Sequence, residues 1–391
     1  MDAISDGAGS DSEAISIAVV SRAELAGCAA WQSTFADERK DHRYYEILDD
    51  TVGNFEYRYF AFIDAHGVVR AVQPFFLVDQ DILEGLAARR VRWLLLVRRF
   101  YPRFLILRSL MVGCAAGEGH LATSDALPAS ALARALSDGI VAQAKLLRAQ
   151  LIVLKEFPAA YRGVMSCFTR RGFARAPSMP MTMLDIRYDS FETYMEKALN
   201  SSARRKLRKK LSATAGVSDI HMSVTDDAAS FVDEIYPLYL QVFERSKMRF
   251  EKLTKEFFRE LGQRMNDKVR FFVWRRGNTL IAFSMCMVQG ESLYAEYVGF
   301  DYAVAIDLHL YHYVVRDMIR WGIDHGYKWF RSSALNYDPK LHMRHRLDPI
   351  DLYVRHTSPL ANVLLRLALP WIVPARYDPT LKLFPDYRTL W

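Results

Sequence analysis

VRFFVWRRGNTLIAFSMCMVQGESLYAEYVGF, residues 269–300, is the stretch whose reading decides the fold. Two apolar runs meet at Arg276-Gly277-Asn278, the turn chemistry of a β-hairpin. A third run, SLYAEYVGF, closes at Gly299 and Phe300. DLHLYHYVVRDMIRWGIDHGY (307–327) then sets Leu310, Val314, Met318 and Trp321 at helical spacing, with Gly326 to stop the helix. KWFRSS (328–333) reads as a strand, LNYDPKLHMRHRLDP (335–349) as a polar connection and DLYVRH (351–356) as a last short strand. Two antiparallel pairings followed by a strand–helix–strand crossover predict a mixed sheet with a helix on its face. The expected ligand cleft lies at the carboxyl end of Tyr294–Gly299.

Working back toward the N-terminus, residues 15–188 carry the same plan. YRYFAFIDAHGVVRAVQPFFLV (57–78) is strand, turn at His66-Gly67 and strand; LILRSLMVG (105–113) ends at Gly113 as the later run ends at Gly299. A helical stretch over 129–148 and the strand QLIVLKEF (150–157) complete the match. The order of elements predicts a duplication, two α/β halves at 15–188 and 189–356. Residues 1–14, acidic and Gly/Ser-rich, read as a disordered N-terminus without the pattern of a signal or transit peptide. Residues 357–391 read as an apolar and basic tail.

The chain has 391 residues, 51% of them apolar, enough for two cored units. Its formal charge of +7 is concentrated in a few stretches, which favours an anionic partner such as a phosphate-bearing cofactor, a nucleic acid or a lipid headgroup. Four scattered cysteines (Cys28, Cys114, Cys167, Cys286) have no paired spacing and read as thiols rather than disulfides or metal ligands. No metal site is expected. No uninterrupted apolar run reaches about 18 residues, so the chain reads as cytoplasmic without a transmembrane helix.

Three stretches stand apart. In LEGLAARRVRWLLLVRRFYPRF (83–104), Arg89, Arg90, Arg92, Arg98 and Arg99 flank Trp93–Val97, either an element that touches membrane or clasps an acyl chain or a packed hairpin or helix with outward arginines. DSFETYMEKALNSSARRKLRKKLSATAG (189–216) joins the halves, with Asp189 or Ser190 as helix cap. Six of nine residues in ARRKLRKKL are basic, with Leu207 and Leu211 on one face. A solvated face is the plain reading of such a run; its density and single sign favour a phosphate-rich ligand or a lipid surface. The tail segment Leu360–Val373 either covers the core or lies in the membrane interface, a peripheral contact on the inner face.

Taken together, the QLIVLKEF strand, the RRGFARAPSMPMTMLDI strand (170–186), the Ser190-Phe191-Glu192-x-Tyr194 helix, the basic helix, GYKWF and the segment carrying Lys340 resemble one family. It is the FemAB-like N-acyltransferases, whose members carry paired GNAT-type domains. The resemblance spans about Ile15 to His356 and implies an α/β fold with mixed sheets in two tandem GNAT-like domains. It also implies acyl transfer to an amine, with acyl-CoA as co-substrate. The Gly-rich turn that ordinary GNAT enzymes carry after the third strand is missing here, since DYAVAIDLHL (301–310) has no glycine; the FemAB-like relatives lack it too, and some of them use aminoacyl-tRNA as donor.

The resemblance places the acyl carbonyl against the backbone of Tyr297, Val298 and Gly299, and the dense like charge of the basic helix makes Arg204, Arg205 and Arg208 the candidate contacts to the donor's phosphates. Period 2 puts Tyr294, Glu296 and Val298 on one face. Glu296, a carboxylate within an apolar strand, is the first candidate for general base, with a salt bridge to an arginine as its structural alternative. Asp301 and Asp307 are weaker candidates. Tyr337 stands where the family often has a tyrosine acid, and Lys340 matches a lysine of the relatives. Tyr294, Asn336, His342 and Arg344 are candidate acceptor contacts, with His345 beside them; a polar surface helix is the plain alternative for 336–345. No Ser/His/Asp nucleophile elbow is visible, so direct attack is expected. Three functions stay open. One is an acyl-thioester-dependent N-acyltransferase acting on a small amine or a cell-envelope precursor. The second is an aminoacyl-tRNA-dependent transferase, and the third a non-enzymatic protein that binds membrane or an envelope precursor.

Overall fold

The structure, a computed structural model, describes residues 15–83, 96–122, 127–215, 219–246 and 249–391. Residues 1–14 and the Arg89–Leu95 part of the basic insertion lie outside the described residues. In chain order the strands are β1 (Ser16–Val20), β2 (Glu56–Ile63), β3 (Val69–Asp81), β4 (Ile106–Val112), β5 (Leu151–Pro158), β6 (Ala174–Pro177) and β7 (Met181–Asp185). They continue as β8 (Ile220–Thr225), β9 (Val269–Arg276), β10 (Thr279–Gln289), β11 (Ser292–Phe300), β12 (Trp329–Ser332), β13 (Arg346–Asp348) and β14 (Ile350–His356).

Two seven-stranded sheets result, ordered β1-β2-β3-β4-β5-β14-β6 and β8-β9-β10-β11-β12-β7-β13. Corresponding pairs run in the same sense throughout. In each sheet the fourth and fifth strands pair in parallel and all other neighbours are antiparallel. The duplication read from the sequence is therefore present in the topology. Gly67 and Gly277 occupy matching hairpin turns, both with positive φ (79° and 55°), a conformation that costs glycine little. The parallel pairings end at Val112 and Ala295, so Gly113 corresponds to Glu296, three residues short of Gly299.

One feature departs from the sequence expectation. The RRGFARAPSMPMTMLDI segment is not one strand but two, and the second, β7, pairs in the sheet of the other half. Likewise β14 inserts between β5 and β6 of the first sheet instead of closing the second. The sixth strand is exchanged reciprocally. Prolines stand at both exchange points: Pro177 ends β6, Pro180 lies between β6 and β7, and Pro349 lies between β13 and β14. Lacking an N–H, each interrupts the ladder where the chain steps from one sheet to the other.

Both halves share one core. The helices Val232–Arg245 and Lys255–Arg264 fill the space between the sheets, and Phe257 meets Tyr44 of the first half edge to face at 5.7 Å. The far face of the second sheet is covered by the helices Phe191–Ala198, Ser201–Ala215 and Leu310–Asp324 around Phe272, Trp274 and Leu293. Ser190 is the observed cap of the first of these, accepting from Thr193 N–H at 3.0 Å, worth about 1 kcal/mol. A third cluster, built from Tyr337, Leu369, Val373, Leu381, Phe384 and Leu390, anchors the tail to the body. Of the basic insertion, Arg98 is ion-paired to Asp81 and Arg103 to Asp79.

Candidate active site

β11 and β12 pair only over Ser292–Ala295 and Trp329–Ser332, after which the strands part. β11 runs on to Phe300, held on its other edge by β10, with a β-bulge at Glu296. Asp301 N–H donates to Ile281 C=O, so alternation sets Gly299 toward β10 as well. Val298 and Phe300 then aim their N–H groups the other way, into the gap that β12 leaves. A bulge beside a widened gap is a way to present backbone donors to a ligand.

The opposite rim is the chain after β12. Leu335 and Asn336 both hold left-handed φ values, 72° and 48°. Such conformations cost roughly 1–3 kcal/mol each in non-glycine residues unless the surroundings fix them. Lys340 does so: its Nζ donates to Ser333 C=O at 2.5 Å and to Leu335 C=O at 2.8 Å. Lys340 is buried without a carboxylate partner among the described residues, and burial pulls it down to about 7. Below it, His345 Nδ1 meets Thr182 Oγ1 at 3.2 Å, and Thr182 Oγ1 meets Ser332 Oγ at 2.9 Å. Burial, with Lys340 adding to it, pushes His345 down to about 3, so its ring is neutral at pH 7.

The bulge also corrects the period-2 reading. Tyr294, Glu296 and Tyr297 face the first half, while Val298, opposite Ser284, faces the other way. Glu296 is a member of a buried ion-pair cluster with Arg39, Lys40 and Glu118, which His120 joins at Glu118 (3.4 Å), rather than an available base. Its Oε1 takes Arg39 Nε at 2.6 Å and its Oε2 takes Lys40 Nζ at 3.1 Å. Arg39 also pairs with Glu118, as does Lys40 at 3.0 Å, and the Arg39 guanidinium lies 3.7 Å over the Tyr294 ring. Burial alone would raise the Glu118 carboxyl, but Arg39 and Lys40 outweigh it and hold it well below the usual carboxylate range. Burial disfavours the charged form of Lys40, and Glu118 and Glu296 outweigh that too. Two cations and two anions balance. The structural alternative for Glu296 is the one realised.

Tyr337 is corrected as well. It packs in the tail cluster, its hydroxyl donates to Pro180 C=O at 2.8 Å, and burial raises its pKa. A buried phenol bound to a carbonyl has no proton to deliver into the gap. Gly299 serves packing: an added Cβ would stand 2.7 Å from the Leu238 backbone.

Next to the bulge, the Tyr297 hydroxyl donates to Glu251 Oε1 at 2.8 Å. Burial pushes the Glu251 carboxyl up, opposed by Lys155 and by this hydrogen bond. Lys155 Nζ donates to Gly117 C=O at 2.9 Å and pairs with Glu156, whose other oxygen accepts from Ser178 at 3.0 Å. Glu251, Lys155 and Glu156 thus converge from different segments on the first-half side of β11. Sequence reasoning missed them. The one available signal was a lone carboxylate in the basic, aromatic run RSKMRFEKLTK (245–255).

At the same end of the second sheet the basic helix packs on Leu310–Asp324. Leu207 and Leu211 point inward, and Arg205, Lys206, Arg208 and Lys209 are exposed. Arg204 donates to Glu196 C=O at 3.3 Å, and Lys210 Nζ donates to His312 Nε2 at 3.0 Å. Among the described residues none of these six cations pairs with a carboxylate. Burial, then Lys210 and His309, pull His312 down to about 4; Asp338 and His342 also act on it. Asn336 bonds Tyr311, while His342 and Arg344 are exposed. The glycine-free turn is built as a helical turn, and most of its N–H groups already have partners within the chain. Tyr302 donates to Gln241, Ala303 to Asp301, and Val304, Ala305, Leu308 and His309 to backbone carbonyls.

Two surface cavities, of about 260 and 510 Å³, are lined by Glu38, Arg39, Lys268 and Gln289 and by Arg22, Trp31, His42 and Glu46; neither borders the gap. No cluster of three or more metal-ligating side chains occurs among the described residues.

Residues 201–338 match the GNAT acetyltransferase domain family. No curated protein matches the sequence. Among solved structures, the C-terminal domain of a protein assigned as a lysylphosphatidylglycerol synthetase from Agrobacterium fabrum is similar at 11% identity, TM-score 0.51, over 90% of this chain and 98% of that one. The Bacillus licheniformis L-PGS structure gives 10% identity and TM-score 0.51 over 88% and 99%. FemX gives 10% and 0.50 over 86% and 96%. At such identities the likeness is one of fold. The chain has the tandem GNAT fold, and the match to the GNAT acetyltransferase domain family falls in its second half.

Proposed function

We propose that the chain is an N-acyltransferase that moves an acyl group from a phosphate-bearing activated donor to an amine by direct attack. One observation carries this reading: the gap beyond Ala295, where the bulge turns Val298 N–H toward a missing strand. An acyl carbonyl seated there would meet a fixed donor for its developing oxyanion. The amine lone pair attacks the carbonyl carbon, and the bond to the leaving sulfur or oxygen breaks. The amine's extra proton passes to a base, for which Glu251 is the candidate, held by Tyr297. Lys340 is read as a positioning residue for the rim, and Asn336, His342 and Arg344 as contacts along it.

For the donor, a CoA thioester is the first reading, with Arg205, Arg208 and Lys209 facing its phosphates. The second is aminoacyl-tRNA, favoured by the 301–310 turn, where seven N–H groups, from Asp301 to Ala305 and at Leu308 and His309, are already bonded within the chain and less backbone is left to cradle a pyrophosphate. Lysylphosphatidylglycerol synthetase and FemX have the same fold, and the first name states a lysyl group joined to a lipid. An envelope precursor as acceptor, and a cytoplasmic chain resting on the inner membrane face, are the finer parts of the proposal. The test is to incubate the chain with amine acceptors and, separately, CoA thioesters and charged tRNAs, reading acyl transfer by mass spectrometry. Transfer from one donor class names it. Absence of transfer from both, with tight binding of an envelope precursor, would favour the non-enzymatic reading.

A further inference from the structure

The helix Pro359–Ile372 is apolar on both sides. Its inner side, Asn362, Leu365 and Leu369, packs on β14, β6 and the tail cluster. Its outer side carries Leu360, Val363, Leu364, Leu367 and Trp371, exposed at 75, 54, 61, 68 and 72%. These positions follow i, i+3, i+4, i+7 and i+11, a single stripe along a 3.6-residue helix. A contiguous apolar surface of this kind marks an interaction site.

The surrounding charge says what covers it. Arg366 on the helix itself and Arg376, Lys382 and Arg388 in the tail that follows are exposed. The two side-chain carboxylates of residues 357–391, Asp378 and Asp386, are half-buried, and each accepts at least one backbone N–H. Asp378 accepts from Thr380 and Leu381 N–H, and Asp386 from Leu347 N–H. The tail thus shows leucines, a tryptophan and cations, with no exposed side-chain carboxylate. We propose that this helix seats the chain on an anionic lipid surface, lying flat with Leu360, Val363, Leu364, Leu367 and Trp371 in the headgroup–acyl boundary. Fourteen residues give about 21 Å at 1.5 Å per residue, short of the ~30 Å of a hydrocarbon core, so the helix rests in the interface and does not cross. A second copy is disfavoured as occupant, because a twofold contact would set the same cations against one another. The inference is independent of the acyl-transfer reading.

Deleting the tail would expose Tyr337 and its cluster, so substitution at exposed positions is the sound test. The full chain is floated with vesicles of phosphatidylcholine alone and of phosphatidylcholine with phosphatidylglycerol. Binding to the anionic vesicles that falls with salt is expected, as is a loss of roughly tenfold or more in Leu364→Gln/Leu367→Gln/Trp371→Gln at unchanged Tm. Trp371→Gln alone should weaken binding in the same direction, and Arg366→Gln/Lys382→Gln should reduce the preference for phosphatidylglycerol. Equal binding by the wild-type and the triple variant overturns the proposal. So does a wild-type chain that ignores vesicles but sediments as a dimer dispersed by the triple variant.

Discussion

The phenol of Tyr297 and the carboxylate of Glu251, 2.8 Å apart, tie the strand that borders the gap to a loop from the helical layer between the sheets. Burial raises the Glu251 pKa, the direction that suits a carboxylate for accepting a proton near neutral pH. Glu251→Gln is expected to lower turnover by about 10²–10⁴ and to abolish the rise of rate with pH that deprotonation of Glu251 produces. Tyr297→Phe removes a hydrogen bond that lowers this pKa, so the rise should move to higher pH. A pH–rate profile checks both. An unchanged profile in Glu251→Gln would remove Glu251 from the chemistry.

The quartet of Arg39, Lys40, Glu118 and Glu296 predicts a stability effect instead of a catalytic one. Removing one member leaves an uncompensated buried charge, and Glu118→Gln should cost about 3–5 kcal/mol in urea unfolding. Arg39→Met/Glu296→Met, which removes a pair, should cost less than either single change. Because the Glu118 pKa is depressed in the fold, its contribution is present above the unfolded carboxylate value and lost as pH falls through the folded one.

For Lys340 the sign is the opposite of a salt-bridged lysine. Its folded pKa, about 7, lies below the unfolded value, so between the two the unfolded chain binds more protons. Stability should therefore rise as pH goes from about 7 toward 10, with a slope of at most about 1.4 kcal/mol for each step of one in pH. Lys340→Met should flatten that rise in unfolding curves taken across the window, and should loosen Leu335 and Asn336.

Arg205, Arg208 and Lys209 are exposed cations on a helix held inward by Leu207 and Leu211. Changing the three to Gln leaves the packing face intact and should weaken donor binding. If the donor is tRNA, the salt slope should become shallower by roughly 0.7–0.9 per lost phosphate contact. A CoA thioester should show a shallow slope before and after.

How far the sequence reached depends on the range of the interaction concerned. The hairpin at Gly277, the crossover to β12 and the matching plan around Gly67 rest on local turn chemistry and periodicity, and all three are present. The exchange of β7 and β14 rests on pairing between distant segments, and nothing local signals it beyond the prolines. Period 2 failed at Glu296 because a bulge inserts one residue, which sends Val298 to the opposite face. Arg39, Lys40 and Glu118 sit in polar loops whose burial is created only when the two halves meet. Lys340 was singled out on resemblance; its burial and its hold on two left-handed residues were not visible in the sequence.

The reciprocal sixth strands have a consequence for inheritance. Each half completes its sheet with a strand encoded beyond its partner's last edge strand, so neither half is a complete sheet on its own. A duplicated gene with this topology cannot lose, replace or recombine one copy without leaving a hole in the other. Removing either half would therefore take a strand from the sheet of the other, and the first half also supplies the buried partners of Glu296.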